Sequence, residues 1–159
     1  AAARRYGARP PAFVVDPPRP RSLAALAREN AVEGCVRETW AALLAAYQAM
    51  SAEDPAFRAL MAEVAVDERR HAELAWAIDA WARTRLSAAE VRELDDALAG
   101  AAAALRPSVD PPAPLAGPLG LPQLARAEPM WRALTAVLWD ARSQSLVKGL
   151  RSSTASSPT

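Results

Sequence analysis

The stretch Glu68-Arg69-Arg70-His71 sets a carboxylate and the only imidazole of the chain three positions apart, and Glu33 lies 35 residues upstream. Residues three apart share one face of a helix, so Glu68 and His71 on a helical segment converge on a single ion. Carboxylates and an imidazole are hard and borderline donors, a set that suits iron or manganese and also accommodates zinc. The spacing therefore points to metal chemistry before it points to any substrate.

Placing the first long helical segment on a wheel at ~100° per residue gathers Leu26, Glu29, Glu33, Val36, Trp40, Leu44 and Tyr47 into one stripe, with Glu33 at its centre. The second segment lines up Phe57, Met61, Val64, Glu68, His71, Ala75 and Ile78 in the same way, which puts Glu68 and His71 on an apolar face. An antiparallel hairpin of the two brings Leu44 against Phe57, Trp40 against Met61 and Glu33 against Glu68. Two glutamates buried side by side are unfavourable by several kcal/mol unless a cation cancels their charge. The expected ligands are Glu33, Glu68 and His71. Glu29, inside the stripe one turn earlier, is a further candidate, with an arginine pair as its structural alternative. Glu38 points away from the stripe, as do Glu63 and Glu73, and Asp67 sits at its edge. Without a metal the same residues form a Glu–His ion pair, and the protein reads as a metal-free helical interaction module.

The elements that must hold these residues are helices. The chain has 159 residues, enough for one domain with a real core. It is rich in Ala, Leu, Arg and Glu, the better helix formers, and no alternating β-branched runs compete. Residues 1–21 carry Pro10, Pro11, Pro17, Pro18 and Pro20, which deny backbone donors and predict an extended arm. A helical hairpin is expected over 22–85, with Asp54 as N-cap and Pro55 at the first helical position of its second limb. Ser87 and Glu90 spell a capping box for a third helix to about 105. The six prolines of Pro107 to Pro122 predict a surface connection. A last helix is expected over about 123–148, interrupted or started by Pro129, with Gly149 as its C-cap and 151–159 as a disordered tail.

The remaining composition excludes several classes. The net charge is +1 and the 19 basic residues are scattered, so there is no stripe for a nucleic acid backbone. Cys35 is the only cysteine, which removes disulfides and cysteine-held metals within the chain. No run is apolar enough for a membrane span, and no signal-peptide core is visible. The chain starts at Ala1 without an initiator Met, and the expectation is a processed or trimmed piece whose compartment, cytoplasmic or exported, is open.

The segments Glu29-Asn30-Ala31-Val32-Glu33-Gly34-Cys35-Val36-Arg37-Glu38-Thr39-Trp40 and Asp67-Glu68-Arg69-Arg70-His71-Ala72-Glu73-Leu74-Ala75-Trp76 resemble the ferritin-like superfamily, in particular small bacterial ferritin-like domain proteins. The resemblance covers Arg28 to Trp81 and implies an all-α, antiparallel four-helix bundle with a di-iron carboxylate centre. It implies Fe(II) oxidation coupled to oxygen or peroxide reduction. The family pattern repeats Glu-x-x-His on a later helix, and this chain does not, since His71 is its only histidine and the last helix offers Asp140 and Gln144 only at the margin of its apolar face. Encapsulated ferritins are similar in completing the centre between two subunits, which implies a homodimer here, and their spacing matches Glu38 better than Glu33.

Overall fold

The computed structural model describes residues 20–140 and is all-helical, with no strand among those residues. The arm over 1–19, the last-helix residues Lys148 and Gly149 and the tail over 151–159 lie outside the described residues.

The first limb is one unbroken helical rod with an unusual centre. It consists of α1 (Leu23–Asn30), a π-helical segment π1 (Ala31–Glu38) and α2 (Thr39–Ser51), and the residues at both junctions keep right-handed helical torsions. Ser22 opens it by accepting a hydrogen bond from the Ala25 amide on Oγ, which satisfies one donor of the first turn. The rod ends where Ala52 turns extended. Asp54 then caps α3 (Pro55–Arg83) by accepting from Ala56 and Phe57, with Pro55 at the position where a missing N–H costs nothing. At 29 residues α3 spans about 43 Å. Ser87 and Glu90 form both bonds of a capping box at the head of α4 (Ala88–Ala104). Glu90, held by the Ser87 hydroxyl and amide, has its pKa lowered.

The proline-rich connection is not structureless. It contains a short helix, α5 (Ala113–Leu119), ended by Gly120 at φ 59°, where a side chain would also run into the Ala52 backbone. The final described helix is α6 (Leu124–Leu134) followed by π2 (Thr135–Trp139). Pro129 neither starts nor interrupts it. The helix runs through Pro129, which forfeits the one backbone donor that proline lacks.

The rod is the central element. It packs α3 along one side and α4 against α1 and π1, while π2 closes on α4. The core is built from small residues with few large ones: Ala27, Ala31, Cys35 and Val36 of the rod meet Ala75 and Ala82 of α3, Leu94 and Leu98 of α4, and Trp139. Small side chains let the backbones approach closely, and two indoles fill what remains. Trp139 Nε1 donates to the Cys35 carbonyl at 3.2 Å, and Trp131 Nε1 donates to Ala102 at 2.9 Å. One buried acid sits in this core. Asp79, 1% exposed, accepts from Arg83 Nε at 2.8 Å, and Arg83 also reaches Asp95 of α4 at 2.7 Å. Burial works against the charged form of Arg83, but the hydrogen bonds to Asp79 and Asp95 outweigh it and its pKa is raised.

The helix faces differ from the wheel expectation. On α3 the buried positions are Ala72, Ala75, Asp79 and Ala82, whereas Ile78 is 38% exposed and the His71 side chain 58% exposed. On the rod, the line through Glu29 and Glu33 faces outward, and Gly34, Cys35 and Val36 are buried in succession. The π segment carries more residues per turn than an α-helix, so a fixed 100° step loses the true phase across it.

Candidate metal site

Glu38, Glu68 and His71 form the candidate group. Glu38 ends π1, and Glu68 and His71 are one turn apart on α3, so the site is built by two antiparallel elements facing each other. His71 Nδ1 lies 3.8 Å from Glu68 Oε2 and 4.0 Å from Glu38 Oε2, and one donor atom from each residue falls within 4.8 Å of the others. These gaps are too long for hydrogen bonds. Two metal–ligand bonds of ~2.1 Å span up to ~4.2 Å, so an ion bridges donors that do not bridge one another. The two carboxylates and the imidazole match a divalent cation in donor type, and the two His71 gaps lie within the reach of one ion.

The surrounding charges sharpen this. Arg37 is bound to Glu33 at 2.8 Å, Arg69 to Glu73 at 2.6 Å and Arg70 to Asp67 at 3.3 Å. Each arginine next to the site in sequence is thus engaged with another acid. Among the described residues, the basic side chain within 4.0 Å of both Glu38 and Glu68 is that of His71.

Of the sequence-predicted ligands, the structure brings Glu68 and His71 together. Glu33, expected as the third, is held away by Arg37, with a side chain 52% exposed. Glu29 likewise pairs with Arg21 at the surface. Glu38, which the wheel turned outward, takes the place expected for Glu33. The signal that could have found it was the Glu33–Arg37 spacing of four, which predicts a surface ion pair and removes Glu33 from the ligand set.

A cleft of about 280 Å³ opens beside the site between the rod and α3, lined by Asn30, Gly34, Glu38, His71, Leu74 and Ile78. Leu74 and Ile78 are 60% and 38% exposed, so the cleft has an apolar wall open to solvent and two donor residues in its lining. No protein family, curated protein or solved structure matches this chain.

Proposed function

We propose that this protein is a ferritin-like metal-binding protein whose ion is held by Glu38, Glu68 and His71. The observation that carries the reading is the convergence of a carboxylate from one helical limb with a Glu-x-x-His pair from the next, the ligand unit of carboxylate-bridged bundles. Iron is the preferred ion, with manganese and zinc compatible with the same donors. Bound iron would supply Fe(II) oxidation by oxygen or peroxide. The chain's own part is to hold the ion with two negative charges and one neutral donor, and to leave the cleft side for a small reactant.

Three protein donors do not fill the coordination of such an ion, and the single histidine is already used. A homodimer that brings two such groups together would complete a two-metal centre. A second reading, a metal-free helical interaction module, draws on the exposed apolar residues Leu74, Ile78 and Trp81 on α3.

Metal content after purification from iron-supplemented cells separates the two. About one ion per chain is expected in the wild type and in Glu33→Ala, with loss in His71→Ala and Glu38→Ala. Equal metal in wild type and His71→Ala would remove the reading. Sedimentation at micromolar concentration is expected to give a dimer or larger species, and a monomer with two ions bound would remove the shared centre.

A further inference from the structure

We infer that Gly34 is a positioning residue for the metal group: its bare contact with Ala75 sets the distance at which Glu38 meets His71. The inference rests on the metal reading above. Gly34 lies four residues before Glu38 on π1, and Ala75 lies four residues after His71 on α3. The two elements are antiparallel, so the Gly34–Ala75 contact and the Glu38–His71 approach are successive rungs of one interface, about a turn apart. A methyl group on Gly34 would stand 2.4 Å from the Ala75 Cβ and 3.2 Å from Asn30 Oδ1. To restore an ordinary contact of 3.4 Å the helices must part by about 1 Å, because two backbone-anchored Cβ atoms cannot bend aside.

The donors stand near their own limit. Glu38 Oε2 and His71 Nδ1 are already 4.0 Å apart, close to the ~4.2 Å that two metal bonds span, and functional donor sets tolerate displacements of about 0.5 Å. The sliding register is fixed at the same place. Asn30 Nδ2 donates to the Ala75 carbonyl at 2.9 Å, tying the rod to the residue that Gly34 touches. The close approach and the side-chain tie therefore act on one point of α3, one turn from the imidazole.

Alanine favours helix over glycine, so a purely structural account of Gly34→Ala predicts retained helix and unchanged ligand affinity once the chain is folded. The test uses Co(II) as an anaerobic spectroscopic probe, with circular dichroism recorded on the same samples. Gly34→Ala is expected to keep its helical signal and weaken Co(II) binding at least tenfold. Moving the methyl to the other side, in Gly34→Ala/Ala75→Gly, is expected to restore affinity to within about threefold of wild type. Wild-type affinity in Gly34→Ala overturns the inference, as does a folded double variant that stays weak. If Gly34→Ala fails to fold, the double variant alone decides by the same criterion. Absence of His71-dependent Co(II) binding in the wild type overturns the metal reading and this inference together, whereas wild-type binding with an indifferent Gly34→Ala overturns only the inference.

Discussion

Helix α3 carries two polar clusters eight residues apart, and they are balanced in opposite ways. Around Asp79 the acids have their own cation: Arg83, only 16% exposed, joins the buried Asp79 to Asp95, 20% exposed, across two helices. Around His71 the acids are half-exposed, Glu38 at 41% and Glu68 at 28%, and the local arginines are bound elsewhere. A carboxylate in a core needs a permanent partner because the medium does not screen it. A carboxylate pair at a cleft with only an imidazole beside it has no such built-in cation, which is the arrangement the proposed metal reading draws on. The first arrangement holds two helices together, and the second is suited to holding an ion.

The largest effect should come from breaking the closed cluster. Arg83→Met leaves Asp79 and Asp95 without their shared cation and is expected to cost about 3–5 kcal/mol in urea unfolding. A loss under 1 kcal/mol would show that the network is peripheral to stability. A smaller but opposite effect is expected at the open cluster. Metal at one hundred times its dissociation constant should stabilise the wild type by about 2.7 kcal/mol, and this gain should vanish in Glu68→Gln. The apo form of that variant should match wild type or exceed it, since one charge has been removed at nearly constant volume. A wild-type melting temperature indifferent to Co(II), Mn(II) and anaerobic Fe(II) would favour the metal-free interaction module.

The smallest effect belongs to a charge of neither cluster. The pKa of Glu90 is lowered by Ser87, so its ionised form stabilises the fold above the ordinary carboxylate pKa, and that contribution is lost as pH falls through the lowered value. Thermal melts should show wild type above Glu90→Gln at neutral pH, with the gap closing on acidification. A gap independent of pH would mean that the capping box does not depend on the charge.

Local chemistry was legible in the sequence, and angular phase was not. Ser87 with Glu90, and Asp54 with Pro55, act within three or four residues, so their bonds could be read directly from spacing. The faces of α3 depended on a choice between two columns flanking Met61, Glu68 and Ala75. One column holds Val64, His71 and Ile78, and the other holds Ala65, Ala72 and Asp79. Hydrophobicity favours the first. The structure buries Ala72 and Asp79, because alanines admit a close neighbour and Asp79 is neutralised by an arginine one turn on. Burial there was decided by contacts between elements, which a single wheel does not contain. The rod posed the same difficulty through π1: nothing in Ala31 to Glu38 announces the change of winding, and only the Glu33–Arg37 spacing argued locally against Glu33 at the site.

The short helix α5 has a bearing on how the hairpin opens. The Glu53 amide, in the turn between α2 and α3, donates to the Gly117 carbonyl at 3.1 Å, and the buried Gln48 donates to Leu119 at 2.9 Å. Residues more than 60 positions away in the chain therefore latch the turn from outside. Exchange of the Glu53 amide with deuterated solvent requires α5 to lift, whereas amides inside α3 exchange through opening of the helix itself. The Glu53 proton thus becomes a clock for detachment of the proline-rich connection, independent of the unfolding of the helices it fastens.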